Sequence, residues 1–131
     1  ARTDARGVAG MEEALKRMKA FHESGADILF LEAPGSIDEM REFCSEVPGY
    51  KMANIIENGL TPVLPPVQLH DLGYAVAAYP LTLLQAIITA VQDALADLAA
   101  GTHPTGLKDF ETVKDIIGFN DYYREEERYK S

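Results

Sequence analysis

Short apolar runs alternate with helix-like stretches along this chain, and this alternation limits its fold more than any other feature. The runs cover residues 26–31, 51–56 and 74–79, and each has the length of a strand rather than of a buried helix. Such runs are typical of strands that are buried on both faces of a parallel sheet. Strands separated by helices predict an α/β fold with helical crossovers.

The segments between these runs carry helix signals. Ser36, with Glu39 three residues later, has the pattern of a capping box and predicts a helix start. Gly73 and Gly101 are natural left-handed stops for the helices before them. The predicted helices cover residues 11–24, 36–47, 65–72, 82–100, 109–117 and 121–129.

The predicted sheet is too small to protect its own edges. It has three complete strands and a truncated one at the start, and an open parallel sheet of this size leaves strand edges without partners. A (β/α)₈ barrel has eight β/α units and about 250 residues. This chain, with 131 residues, has about half that number of units and about half that length. The chain also begins with Ala1 rather than Met. We therefore expect half of a barrel, cut from a larger protein.

Composition argues against two classes of partner. The net charge of −9 offers no basic surface for nucleic acid. The most apolar stretch, residues 81–100, is interrupted by four polar side chains, so we expect a buried helix rather than a membrane span.

Cys44 is the only cysteine and cannot form an internal disulfide, which favours a cytoplasmic protein. We expect Cys44 to be a helical residue without a catalytic role.

Polar side chains stand where each predicted strand ends. In a barrel, catalytic residues lie at the carboxyl ends of the strands. Arg2 is suited to bind a carboxylate through two hydrogen bonds, or to pair with Glu32 on the neighbouring strand end. A purely structural role is the alternative, because charged residues often flank strands that end at solvent. The candidate residues are Arg2, Glu32, Asn54, Glu57, Pro80 and Thr82. No pair of histidines stands at ligand spacing, so no metal site is predicted within the chain.

Three stretches resemble a known superfamily. They are ARTDA at residues 1–5 with FLEA at 30–33, MANIIENGLTP at 52–62, and the segment 72–82 that ends in YPLT. In this order they are similar to strands five to eight of the isocitrate lyase/phosphoenolpyruvate mutase superfamily. Its methylisocitrate lyase, dimethylmalate lyase and oxaloacetate hydrolase or decarboxylase branches fit best, and the superfamily also includes carboxyphosphonoenolpyruvate mutase. The resemblance covers residues 1–100, with a weaker match at 113–123.

The resemblance implies a Mg²⁺-dependent lyase that cleaves a small 2-oxo or 2-hydroxy di- or tricarboxylate through an enolate. It implies catalytic roles for Arg2 and Glu32. It also implies that the substrate is bound by Arg2, Asn54, Glu57, Pro80 and Thr82. The family's Mg²⁺ ligands and its mobile lid precede this region, so the chain alone is expected to be inactive. The resemblance further implies a homo-oligomer that exchanges its C-terminal helices.

The expected domain is therefore a partial (β/α)₈ barrel over residues 1–131, made of strands five to eight and their helices. A helical extension is expected from about residue 103 to residue 131. The alternative function is a non-catalytic half-barrel that serves as an assembly or regulatory partner. A D-x-D strand end and a cysteine-containing lid upstream of Ala1 would favour the enzyme, and their absence from the gene product would favour the partner.

We predict that the 131-residue chain is only marginally stable alone, because strands at both edges of its sheet lack partners. Thermal unfolding followed by circular dichroism should show a broad, weakly cooperative transition. A sharp two-state melt of a monomer would contradict this prediction.

Overall fold

The computed structural model describes residues 1–130, and residue 131, the end of the expected helical extension, lies outside them. Strands and helices alternate through most of this part of the chain. The elements are β1 Arg2–Thr3, α1 Ala5–Glu23, β2 Ile28–Leu31, α2 Ile37–Glu46, β3 Tyr50–Asn54, α3 Pro66–Leu72, β4 Val76–Ala78, α4 Thr82–Ala99, α5 Phe110–Ile116 and α6 Phe119–Glu127.

The four strands form one sheet in the order β1-β2-β3-β4. Every neighbouring pair is parallel, and a helix follows each strand. This confirms the predicted α/β architecture of parallel strands joined by helices.

Two strands start later than predicted because helix caps use their first residues. After α1, Gly25 adopts φ 90°, and the Ala26 N–H donates to the Phe21 carbonyl at 3.1 Å. After α3, Gly73 adopts φ 108°, and the Tyr74 N–H donates to the Leu69 carbonyl at 3.0 Å. Both are Schellman-type caps. Ala26 and Tyr74 therefore belong to helix ends and not to β2 and β4.

The first helix begins earlier than predicted, at Ala5, but it is interrupted. Gly10 lies inside it with φ 87° and ψ 175°, which is not a helical conformation. The interruption separates a short first segment from the amphipathic stretch that the sequence predicted from Met11. Glycine allows this break because it has no Cβ to clash at positive φ.

The core lies on one face of the sheet. Alternate strand residues such as Leu29, Leu31 and Ala53 are buried there against side chains of α1, α2 and α3. Phe43 and Met18, from α2 and α1, are among the largest fully buried side chains. On the opposite face the intervening residues are open, with Ile28 41%, Tyr50 68% and Val76 40% exposed. This second surface is called the open face below.

The described chain divides into two compact units, residues 1–87 and the part from Ile88 onward. In the second unit, Asp109 caps α5 by accepting from the Thr112 N–H at 2.8 Å. Helices α5 and α6 lie within the predicted C-terminal extension. The predicted boundary near residue 103 stays a prediction.

The expectation that residues 81–100 form a buried helix was wrong for this chain. No residue of α4 is buried, since sequence periodicity cannot show whether a partner covers an apolar helix. By length and composition alone, α4 would also be able to cross a membrane.

Apolar residues of α4 recur at alternating spacings of four and three residues along one side of the helix, called the seam below, and their side chains are between 47% and 59% exposed. The seam consists of Leu84, Ile88, Val91, Leu95 and Leu98.

Candidate functional site

Parallel pairing brings three of the predicted site residues, Arg2, Glu32 and Asn54, to one edge and one face of the sheet. Arg2 is the register partner of Phe30, and Glu32 lies two residues further along on the same side as Phe30. Asn54 ends β3 opposite Ala78 of β4. Because side chains alternate along a strand, Arg2, Glu32 and Asn54 all belong to the open face.

Arg2 and Glu32 form the pair that the sequence suggested. Arg2 Nη2 lies 3.4 Å from Glu32 Oε2. Arg2 Nε donates to Asp4 Oδ1 at 2.8 Å, and the guanidinium lies 5.0 Å from the centre of the Phe30 ring. The hydrogen bond to Asp4 and the charge of Glu32 raise the pKa of Arg2 above its ordinary value, against the opposing effect of desolvation. Arg2 is therefore protonated throughout the physiological pH range and lies beside Glu32.

Asp4 was not assigned a site role from the sequence. A signal was present, because Arg2 and Asp4 are separated by one residue and an extended segment places such residues on one side. The side chains of Arg2 and Asp4 are 52% and 66% exposed. Asp4 therefore orients the arginine from the solvent side.

The Glu32 carboxylate is incompletely satisfied. Its Oε2 atom is buried and accepts no hydrogen bond within the described chain, and its ion-pair contact is Arg2 Nη2 at 3.4 Å. A buried carboxylate oxygen without a donor is costly. The ion pair with Arg2 is therefore the interaction that offsets this cost within residues 1–130.

Glu57 and Thr82 form a second pair. The Thr82 hydroxyl donates to Glu57 Oε1 at 2.6 Å, and this bond is the main reason that the pKa of Glu57 lies below its ordinary value. Glu57 Oε2 is buried and has no hydrogen-bond partner within the described residues. The pair links the loop after β3 to the first residue of α4.

Asn54 and Pro80 are less closely connected. Asn54 is partly buried, and Pro80 is exposed between β4 and α4. Within the described part of the chain, no hydrogen bond joins the Asn54 side chain to Arg2, Glu32 or Thr82. The structure therefore places Asn54 on the same face as the Arg2–Glu32 pair and leaves its amide available.

Two described grooves lie on the helix side of the sheet, away from these residues. One of about 640 Å³ lies between α1 and α2 and is lined partly by Glu12 and Lys16. The other, of about 430 Å³, lies between α2 and α3 and is lined partly by Leu64 and Gln68. None of the predicted site residues lines either groove. The candidate site at the sheet edge is thus separate from both grooves.

The residues of this edge do not form a metal site by themselves. Among residues 1–130, no group of three or more His, Cys, Asp or Glu side chains is placed to hold an ion. The two unsatisfied carboxylate oxygens, on Glu32 and Glu57, belong to separate pairs. The described chain therefore does not fit Mg²⁺ without additional ligands.

Cys44 lies away from the open face. Burial raises the pKa of its thiol to about 11, so the thiol is protonated at neutral pH and is a poor nucleophile. This supports the interpretation of Cys44 as a helical residue without catalytic function.

A known protein family matches most of this chain. Residues 1–99 match the phosphoenolpyruvate phosphomutase family. The chain belongs to the phosphoenolpyruvate mutase/isocitrate lyase superfamily. The resemblance seen in the sequence is confirmed.

Two superfamily relatives are lyases of small carboxylates. The 2,3-dimethylmalate lyase of Eubacterium barkeri is 36% identical over 98% of this chain and 46% of its own length. The 2-methylisocitrate lyase of Aeropyrum pernix is 39% identical over 93% of this chain and 41% of its own length. The chain thus spans less than half the length of both relatives.

A solved superfamily structure has the same fold. Phosphonopyruvate hydrolase in complex with oxalate and Mg²⁺ superposes with a TM-score of 0.80 at 22% identity, over 98% of this chain and 48% of that one. The four parallel strands and their helices therefore correspond to part of a superfamily domain.

The Glu57–Thr82 bond predicts how the pKa of Glu57 responds to substitution. Thr82→Val removes the donor and should raise the pKa of Glu57 toward its ordinary value, whereas Thr82→Ser keeps the donor and should preserve the low pKa. Because the folded pKa is lowered, Glu57 contributes stability above its ordinary pKa. That stability is lost as the pH falls through the lowered value, and Thr82→Val should reduce it.

An NMR titration of the Glu57 carboxyl carbon in the three proteins measures this effect. Equal pKa values in Thr82→Val and the parent protein would show that the hydroxyl does not set the charge of Glu57.

Proposed function

We propose that this chain forms strands five to eight of a (β/α)₈ barrel in a Mg²⁺-dependent carbon–carbon lyase. The substrate class is a small 2-oxo or 2-hydroxy di- or tricarboxylate that is cleaved through an enolate. The observation that carries the proposal is the Arg2–Glu32 pair, with Nη2 and Oε2 3.4 Å apart, on the open face at the carboxyl ends of the strands. This is the edge at which barrel enzymes bind their substrates.

Arg2 has the chemistry of a carboxylate receptor in this proposal. Its Nε atom is engaged by Asp4 and its Nη2 atom faces Glu32, so the guanidinium is oriented while other N–H donors stay available. Its fixed charge and planar donors suit a carboxylate or a developing oxyanion. Glu32 supports the charge of Arg2 through the 3.4 Å contact between its Oε2 atom and Nη2.

The remaining strand-end residues fit the other end of a dicarboxylate. Asn54 presents an amide on the same face, and amide N–H groups donate to carboxylate oxygens. Glu57 and Thr82 line the mouth of the site, where their hydrogen bond holds the loop after β3 to the start of α4. Pro80 shapes the backbone before Thr82.

The proposed enzyme uses Mg²⁺, but the candidate site residues of this chain are not its ligands. Mg²⁺ is present in the similar phosphonopyruvate hydrolase structure, and as a Lewis acid it stabilises enolate charge. Its ligands are proposed to come from strands outside residues 1–130. We therefore also propose that an upstream segment forms the other half of the barrel. The isolated chain is proposed to be inactive.

The proposed assembly is a homo-oligomer that exchanges C-terminal helices. The exposed apolar seam of α4 supports it, because alternating spacings of four and three residues suit packing against another helix. A cytoplasmic location without membrane or nucleic-acid partners completes the proposal. The apolar surface of α4 is then covered by protein and not by lipid.

Substitution of Arg2 tests the enzymatic proposal. In the full-length gene product, Arg2→Lys should lower kcat/KM by about a hundredfold, because lysine keeps the charge but cannot donate in the planar, paired geometry. The assay is Mg²⁺-dependent release of the 2-oxo acid from 2-methylisocitrate or 2,3-dimethylmalate, and cleavage of oxaloacetate. Arg17→Lys, which changes an arginine on the surface of α1, is the matched control. An Arg2→Lys enzyme as active as the control would refute the assigned role.

Substitution within the α4 seam tests the assembly. Val91→Asp and Leu95→Asp, introduced together, should dissociate the full-length gene product into monomers, because two buried charges would then lack partners. Light scattering after size-exclusion chromatography measures the mass. The paired control is Asp93→Asn, a substitution outside the seam that should leave the assembly intact. A parent protein that is already monomeric in aqueous buffer would refute helix exchange.

A further inference from the structure

An ion pair behind the candidate site joins the first turns of α1 and α2. Arg6 Nε donates to Glu39 Oε2 at 2.9 Å, and Arg6 Nη2 donates to Glu39 Oε1 at 2.9 Å. The two side chains are only 28% and 26% exposed. Such a paired arrangement fixes both distance and orientation, which a single surface contact does not.

Glu39 also holds the loop that follows Glu32. The Gly35 N–H donates to Glu39 Oε2 at 2.6 Å, while the Ser36 hydroxyl accepts from the Glu39 N–H at 3.1 Å. The predicted capping box is therefore half formed: Ser36 caps α2 as expected, but the Glu39 side chain binds Gly35 and Arg6. The Arg6–Glu39–Gly35 contacts are called the clamp below.

Gly35 leaves room for the close approach of Arg6. A Cβ atom at this position would clash with Arg6 Nη2 and lie 3.1 Å from Arg6 Cζ. A larger residue would therefore have to displace the guanidinium from its contact with Glu39 or shift the loop. Glycine thus accommodates the Arg6–Glu39 contact as the structure has it.

The backbone between Glu32 and the clamp is strained. Ala33 has φ 53°, a left-handed conformation that is unfavourable for alanine and more so before Pro34. Such conformations persist where the surrounding contacts impose them. The clamp lies two residues beyond Ala33 and supplies contacts of that kind, so it helps to fix the direction of the chain as it leaves Glu32.

The other end of the clamp lies on the segment that carries Arg2. The Glu32 N–H donates to the Thr3 carbonyl at 3.0 Å, and the Thr3 hydroxyl accepts from the Ala5 N–H at 3.2 Å. Arg6 follows directly. The clamp therefore closes a ring of contacts around the two segments that hold Arg2 and Glu32.

We propose that Arg6 and Glu39 are positioning residues that set the geometry of the Arg2–Glu32 pair. Asp4 orients the Arg2 side chain, whereas the clamp holds the two backbone segments; the contact of the pair itself is long, since 3.4 Å between Nη2 and Oε2 exceeds a normal charged hydrogen bond. Neither clamp residue is a catalytic residue, since both act through the loops. The inference rests on the proposed function for its ligand, but the clamp itself is observed independently of that function.

The clamp keeps its charges at neutral pH. The hydrogen bonds from Arg6 and Gly35 hold the pKa of the Glu39 carboxyl below its ordinary value. Glu39 is therefore ionised at neutral pH, and the clamp does not switch near that pH.

The test uses oxalate with Mg²⁺ as the ligand and the full-length gene product as the protein. Arg6→Gln and Glu39→Gln should each weaken oxalate binding about tenfold, because a charged, paired contact is replaced by a weaker one. Arg6→Lys should recover part of the loss. Arg17→Gln is the matched control: it removes an arginine of the same helix whose Nε lies 2.7 Å from Glu13 Oε1, away from the loop.

Calorimetric titration well below the melting temperature separates positioning from stability. A purely structural clamp would lower the melting temperature of Arg6→Gln and leave oxalate affinity equal to that of Arg17→Gln, and this result would overturn the inference. A graded loss of affinity, greatest in Arg6→Gln and smaller in Arg6→Lys, supports it.

Hydrogen exchange provides a readout that does not depend on the proposed function. Amides of residues 1–6 and 32–36 should exchange faster in Arg6→Gln and Glu39→Gln than in the Arg17→Gln control. If the parent protein binds no oxalate, the proposed function fails and exchange alone decides the clamp. Faster exchange in both segments then supports the clamp, and unchanged exchange overturns it.

Discussion

Parallel pairing of the four strands is the constraint on which the candidate site depends. It brings the carboxyl ends of all strands to one edge, and the alternation of side chains then selects which residues share a face. Arg2 beside Phe30 and Asn54 beside Ala78 follow from the register alone. A shift of one residue in any strand would turn these side chains toward the helices and place charge in the apolar core.

The same geometry leaves the site unfinished within this chain. Within residues 1–130, one buried oxygen of Glu57 accepts no hydrogen bond, and Glu32 Oε2 has only the long contact to Arg2. Apolar residues of the open face, such as Tyr50, stay exposed. Carboxylates at the strand ends and apolar side chains of the open face are thus both only partly covered within residues 1–130. The chain spans less than half the length of the two lyases described above, and in the proposed barrel the other strands would cover these apolar residues.

Much of the fold was predictable because its signals are local. The alternation of strands with helices and helix starts such as Ser36 follow from short apolar runs and local caps, and the meeting of Arg2 with Glu32 follows from polar residues at strand ends. The delayed start of β4 was missed because the cap at Gly73 uses Tyr74. The exposure of α4 was missed because periodicity shows an apolar face but not what covers it. The contact of Arg6 with Glu39 spans 33 positions, and no local pattern indicates it.

The most direct test of the account is a crystal structure of the full-length gene product grown with oxalate and Mg²⁺. We expect oxalate on the open face, with a carboxylate oxygen accepting a hydrogen bond from the Arg2 guanidinium and Asn54 beside the same ligand. We also expect the metal ligands to come from outside residues 1–130. Oxalate bound at a site without Arg2, at saturating concentration, would contradict the assignment of this edge as the substrate site.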